Sequence, residues 1–388
     1  MKKEPRIGTH FFHEEPNMNY QFNRIYSING GDLEEIKEVS AGIKTLDDWI
    51  NEFMRLAKKA EAGKRALQAS AYYRAANFYI SPGDPNKNAT YASYKALINE
   101  LYGHDFTSGI IREIKVPYEG GFIPVWHSKP AKKDGETNIV VAHLGYDSLK
   151  EELIPMVHFF RNAGLELYIF EGPGQGDALY SGKLPMTHEW EKPVKAVLDY
   201  FSLDNVTLIG LSLGGYLAPR AGAFEHRVKR IIAWGVMYDF FDVVVSRRGK
   251  LLEIMLKLLL PLKASFIVNA ISRIKMRKDT YAKWGIEHGM SVLGAKSPYE
   301  YFKKLKLYSM KNISHLVRQD FLLIGSTHDH FIPAGDFFIQ ARKLVNVRSF
   351  TGRIFTKHEH GENHVSFGNI PLVLQYMTRW IREHSEIK

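Results

Sequence analysis

Six residues, Gly210-Leu211-Ser212-Leu213-Gly214-Gly215, constrain this chain more than any other stretch, because an apolar run (206–209) ends at the first of them and a helical pattern starts at the last. A serine on so sharp a strand-to-helix turn is held in a strained backbone conformation. Small residues two before and two after it let strand and helix approach closely enough to present Oγ above a sheet. The helix behind it offers backbone N–H groups to a developing negative charge. A hydroxyl is a poor nucleophile until a base takes its proton, so the pattern calls for a histidine oriented by a carboxylate from elsewhere in the chain.

The surroundings agree with that demand. Apolar helical spacing runs from Leu46 through Trp49, Ile50, Phe53, Leu56, Ala57 and Ala60, with Thr45 and Asp48 placed as a cap, and further helices are predicted over 66–79 and 90–102. The period then changes. Residues 109–117 and 121–127 read as strands about the turn Tyr118-Glu-Gly-Gly. Beyond them strands (139–142, 166–170, 206–210, 228–234, 321–324 and one near Arg353) alternate with helices, and a long helical insertion reaches to about Ser314. Such alternation predicts an α/β fold with a mostly parallel central sheet, an N-terminal helical domain over 1–106, a catalytic domain over 107–238 and 316–388, and a helical cap over 239–315.

In a sheet of this kind the acid and then the histidine follow the serine in the chain. Asp329 is the candidate acid, in the loop after the strand of Phe321-Leu-Leu-Ile-Gly325; Asp320 and Asp336 are expected to be surface charges. Three histidines, His358, His360 and His364, lie between the last strand and the last helix. His364 is preferred, five residues before the helix-capping Asn369, and His360 is next. His360 and His364 could share a metal only on a helix, which Gly361 and Asn363 oppose, so no metal site is expected. The oxyanion donors are expected to be the Leu213 amide and that of Gly145 or Tyr146, in the loop His143-Leu-Gly-Tyr-Asp-Ser.

Composition narrows the partners. The chain has no cysteine, so disulfides, thiolate metal sites and a cysteine nucleophile are excluded. Its charged start, broken by Pro5, has no apolar core of a signal peptide, which makes cytoplasm the default expectation. The stretch 251–271 is interrupted by Glu253, Lys257, Pro261 and Lys263, so no transmembrane segment is predicted. Of the formal charge of +10, residues 243–315 carry fifteen Lys and Arg against four Asp and Glu, leaving the rest near neutral. A basic segment can attract anionic lipid, nucleic acid or an acidic substrate; its plainer reading is the solvated face of amphipathic helices. Leu251, Leu252, Met255, Leu258, Leu259, Phe266 and Ile267 offer apolar surface there, either to a substrate or to the packing of the cap.

The elbow and its continuation, Gly210-Leu-Ser-Leu-Gly-Gly-Tyr-Leu-Ala-Pro219-Arg220-Ala, together with Phe170-Glu-Gly172-Pro173-Gly174-Gln175-Gly176, resemble the α/β-hydrolase branch containing 2,6-dihydropseudooxynicotine hydrolase and acylaminoacyl-peptidase-like proteins. The resemblance covers the chain from about Gly109 onward. It implies a triad on Ser212, Asp329 and His364, no cofactor, and hydrolysis of an ester or amide bond of a small-molecule or acyl substrate. The alternative is carbon–carbon bond hydrolysis of a β-diketone-like substrate; a carbon–carbon hydrolase of that branch uses an additional acid, for which Asp239 and Asp242 are the candidates here, and either could equally cap a helix. Leu144, Glu171 and Val365 depart from the branch's usual residues. The expected partner is a small-molecule substrate, with a homodimer allowed and no nucleic acid expected. The reading from another class is an inactive binding protein with a basic cap.

Overall fold

Near-continuous apolar runs such as Val206-Thr-Leu-Ile-Gly-Leu suit strands buried on both faces, which is what parallel sheets require. In the computed structural model, which describes residues 6–132, 137–246 and 249–385, those runs build one eight-stranded sheet. Its strands are β1 (Arg112–Tyr118), β2 (Gly121–Ser128), β3 (Ile139–His143), β4 (Glu166–Phe170), β5 (Val206–Leu211), β6 (Val228–Trp234), β7 (Asp320–Ser326) and β8 (Ser349–Phe355), in the order β1-β2-β4-β3-β5-β6-β7-β8. The first hairpin and the β2–β4 pair are antiparallel, and every later pairing is parallel.

Register decides where chemistry can gather. His143 of β3 stands opposite Gly210 of β5, and Leu211 opposite Trp234 of β6. The carboxyl ends of β3, β5 and β6 therefore finish level, and ligands of open α/β sheets bind beyond such ends. All six residues of β5 are buried, and Ile231 and Ile232 of the neighbouring β6 and Leu322 and Leu323 of β7 beyond it have no exposed surface.

The chain divides into two compact units, one of residues 1–110 with 271–291 and one of 111–270 with 292–388. In the first, the helix Leu46–Ala62 buries Leu46, Trp49, Phe53, Leu56, Ala57 and Ala60 of the predicted stripe and leaves Ile50 half-buried. Its start is a capping box, with Asp48 N–H donating to Thr45 Oγ1 (3.1 Å) and Thr45 N–H to Asp48 Oδ2 (2.8 Å). The helix predicted over 90–102 begins earlier, in Pro85–Thr107, because Asp84 accepts the Asn86 N–H and Pro85 takes the first helical position; it is broken at the predicted end, Tyr102 (φ -118°, ψ 16°), before a further stretch to Thr107. Two further helices, Pro16–Arg24 and Leu33–Ser40, precede these.

In the second unit the chain leaves the sheet after β6 and returns before β7 at one place: Asp239 bridges Ser309, and Phe240 N–H donates to Tyr308 O at 2.9 Å. The apolar residues expected to serve a substrate or the packing of the cap divide. Leu251, Leu258, Phe266 and Ile267 are 83, 62, 84 and 46% exposed and do not pack the cap, whereas Leu252, Met255 and Leu259 are half-buried.

Candidate active site

Ser212 follows β5 with φ of 58°, a left-handed conformation that a non-glycine residue adopts only when its surroundings hold it there. The hold is visible. Ser212 N–H donates to Trp234 O (2.8 Å), and Gly215 N–H donates back to Ser212 O (2.8 Å) as the helix Gly214–Phe224 begins. A Cβ on Gly210 would collide with Gly214 O, and one on Gly215 with Gly235 O, so both glycines are required by close backbone approach.

The loop after β7 brings Asp329, and the loop after β8 brings His364, to the serine. Ser212 Oγ lies 2.8 Å from His364 Nε2, and His364 Nδ1 lies 2.7 Å from Asp329 Oδ2. Asp329 Oδ1 also accepts the N–H groups of Phe331 (2.8 Å) and Ile332 (3.0 Å). Burial pushes the Asp329 carboxyl upward, but His364 and these two amides outweigh it and hold the group below its ordinary value. An ionised Asp329 only accepts, so Nδ1 of His364 carries the proton and Nε2 is left to accept from the Ser212 hydroxyl. His364 is 4% exposed, whereas His358 and His360 face solvent around the turn Lys357–Glu359.

The His364 loop has a device that sequence reasoning missed. Val365 and Ser366 both have φ of 51°, and for a β-branched residue that is a strained angle. Trp234 Nε1 donates to Val365 O (2.8 Å), and Ser366 N–H donates to Ser326 Oγ (3.2 Å), so side chains from β6 and β7 fix the turn. Only the unusual residue after the histidine marked it in the sequence.

Gly145 runs against the elbow, where a Cβ would lie 2.7 Å from Leu211 O and 2.8 Å from Ser212 Cβ. The carbonyls of Leu144 and Gly145 both accept from Gln175 Nε2, at 2.7 and 2.8 Å, while Gln175 Oε1 accepts the Gly172 N–H at 2.9 Å. Gln175 is 2% exposed and locks this loop by three hydrogen bonds, a second feature that sequence reasoning missed. Leu213 follows Ser212 at the N-terminal end of the helix Gly214–Phe224, where amides lack intrahelical acceptors.

A buried charge cluster underlies the same loop. Lys150 Nζ meets Glu151 (2.9 Å), Glu171 (3.2 Å) and Asp177 (3.3 Å), and Lys150 N–H donates to Glu171 Oε1 (3.0 Å). Burial opposes the charge on Lys150, but the carboxylates around it outweigh burial and keep it protonated. One ammonium among several carboxylates leaves an excess of negative charge. Glu171, with no exposed surface, is pushed up, by burial first and then by Glu151 and Asp177, against the pull of Lys150.

Asp239 and Asp242 are held by other groups. Asp239 Oδ1 accepts the Asp242 N–H (3.0 Å) as a helix cap, and its other oxygen meets Lys311 (2.9 Å). Asp242 meets Lys257 (2.9 Å) and Lys311 (3.1 Å); burial raises its carboxyl, but these ammonium groups outweigh it and lower it. Asp320, expected at the surface, is instead 2% exposed, because it pairs with Arg348 and Ser349 at the start of β7.

No protein-family model matches the chain. By sequence it is similar to Hydrolyase poxO of Penicillium oxalicum, at 27% identity over 433 aligned positions that span 97% of this chain and 99% of that protein. It is also similar to Hydrolase LUC6 of a Fusarium species, at 29% identity over 344 positions (76% and 78% of the two chains), and to 20-hydroxy-prefusarin hydrolase FUS2 of Gibberella moniliformis, at 26% over 340 positions (76% and 77%). Among solved structures it resembles AbyA5, with a TM-score of 0.65 and 17% identity over 91% of this chain and 90% of that one. It resembles 2,6-dihydroxy-pseudo-oxynicotine hydrolase equally, with a TM-score of 0.63 and 18% identity over 93% and 94%. Identities this low speak for the fold alone in the two structures, and it is the fold that the sequence resemblance implied. A sheet of this order, shared over nine-tenths of the chain with a solved hydrolase, gives this chain the α/β-hydrolase fold, and its sequence is similar nearly end to end to that of a fungal protein named a hydrolyase.

Proposed function

We propose that the chain is a serine hydrolase that cleaves an ester or amide bond of a small molecule through an acyl-enzyme on Ser212. The observation that carries the reading is the unbroken hydrogen-bond line from Asp329 through His364 to the Ser212 hydroxyl. In this reading His364 takes the serine proton as Oγ attacks the carbonyl carbon, and Asp329 stabilises the imidazolium that forms. The amides of Leu213 and of Gly145 or Tyr146 receive the oxyanion. His364 then returns the proton to the leaving group, and water, deprotonated by the same histidine, releases the acid. The reading needs no cofactor. A small-molecule substrate is supported by the Gibberella relative, whose name is that of such a substrate.

Carbon–carbon hydrolysis would require a further acid to protonate a carbanion-like leaving group. The lysine partners and capping role of Asp239 and Asp242 favour the ester or amide reading over it. An inactive binding protein would have no use for a base aimed at the serine.

Fluorophosphonate labelling followed by a panel of nitrophenyl esters tests the proposal. Wild type should label, and Ser212→Ala should abolish labelling and lower ester turnover by about a thousandfold or more at unchanged melting temperature. Persistent labelling of Ser212→Ala would overturn the nucleophile. A β-diketone cleaved by a wild type that turns over no ester would move the reaction to carbon–carbon bonds.

A further inference from the structure

On the helix Lys250–Leu259 the side chains of Leu251, Ile254 and Leu258 recur at spacings of three and four and so share one face. They are 83, 48 and 62% exposed, and the series continues through Leu262 (75%) in the turn to Phe266 (84%) and Ile267 (46%) on the helix Ser265–Lys278. Single exposed apolar side chains are ordinary, but six large ones along one helix, turn and helix mark a surface that meets something else.

The same stretch is basic. Residues 249–278 hold seven Lys and Arg against Glu253 alone among acids, within the wider excess of fifteen over four. Lys250 and Lys263 stand exposed beside the apolar residues. Lys257 is already engaged by Asp242 and Glu253, and Lys275 by Asp279, so Lys250 and Lys263 supply the charge beside the apolar residues.

We propose that this helix-turn-helix docks the protein on an anionic lipid bilayer. The aliphatic tips and Phe266 would enter the boundary between headgroups and acyl chains while the long basic side chains meet lipid phosphates. Docking is in the plane of the membrane, since among the described residues no helix is long and apolar enough to cross one. A second copy fits less well: two-fold pairing of this face would bring its positive charges against each other. An anionic bilayer satisfies both the apolar and the charged residues.

The test is co-sedimentation of the full chain with phosphatidylcholine vesicles and with vesicles containing about one third phosphatidylserine. Wild type should bind the anionic vesicles about tenfold more than the neutral ones, with binding that falls as salt is raised. The triple variant Leu251→Ser, Leu258→Ser, Phe266→Ser should lose about tenfold or more. Lys250→Glu with Lys263→Glu should lose binding to anionic vesicles alone. Melting temperatures would show that the variants fold. Wild type left in the supernatant with both vesicles, or a triple variant that binds as well as wild type, would overturn the proposal. A wild-type dimer in sedimentation velocity that the triple variant converts to monomer, without vesicle binding, would overturn it in favour of a second copy.

Discussion

His143 closes β3 with no exposed surface, its ring packed against Phe170 and Trp190 and its Nδ1 3.1 Å from Leu144 O. Burial lowers it from 6.5 to about 3, so it is neutral in the folded chain, with Nδ1 donating. In the unfolded chain it takes a proton near its ordinary value. The unfolded state therefore binds more protons between those two values, and stability falls as pH drops below about 6.5. Between pH 7 and pH 5 wild type should lose about 2 kcal/mol more than His143→Phe, read by urea unfolding at both pH values. Equal losses would place His143 outside this balance. Its fate was not legible from the letters, because a histidine at a strand end reads the same whether it is buried or wet. Ser212, Asp329 and His364 could be singled out because each closes a pattern: strand then glycine pair, strand then loop, loop then helix cap. Val365 was marked only as an unusual residue after the histidine, and Trp234 not at all, since the bond from its Nε1 to the Val365 carbonyl leaves no mark on neighbouring residues.

Elements set the loops that those residues cannot set alone. Gln175, in the turn after β4, pins the loop after β3 by bonding two successive carbonyls, and Glu171 of the same turn takes the Lys150 amide. With the two carbonyls fixed toward Gln175, the intervening peptide planes are fixed as well, and with them the direction of their amides. The run Gly172-Pro-Gly-Gln-Gly reads in sequence as a tight connection, which it is; its grip on the neighbouring loop depends on the β3–β4 pairing, which periodicity does not specify. The sheet itself was legible from apolar runs and breakers, whereas the helices Pro16–Arg24 and Leu33–Ser40 were not, being short and flanked by polar residues. If the loop holds an oxyanion donor, Gln175→Leu should lower kcat by about ten- to a hundredfold with a smaller change in KM, and should slow fluorophosphonate labelling without abolishing it. A loss confined to melting temperature, with kcat unchanged, would make Gln175 structural only.

At the scale of the whole molecule the chain leaves its N-terminal helices at residue 110 and returns to them at 271–291, after most of the sheet has been laid down. The return is specific. Trp284 Nε1 donates to Phe78 O (3.2 Å), the Trp284 ring lies 5.3 Å from Phe78 and 5.0 Å from Tyr79, and Ser81 Oγ donates to Glu287 (3.0 Å). Contacts 206 residues apart in sequence close late, because the intervening chain must be ordered first. Sequence reading grouped 239–315 as one insertion on helical period alone, and period carries no information about which surface a helix meets. The helical unit thus depends on a segment encoded far from it, and its stability should respond to a change there. Trp284→Ala should cost that unit about 2 kcal/mol, less than for a fully buried tryptophan because the ring is only partly covered. Hydrogen exchange read by mass spectrometry should show faster exchange in the helices Ala66–Tyr79 and Leu46–Ala62 and unchanged exchange in β5 and β6. Acceleration spread evenly over helices and sheet would mean that the two units unfold as one, and that the return of 271–291 stabilises the whole chain rather than the helical unit.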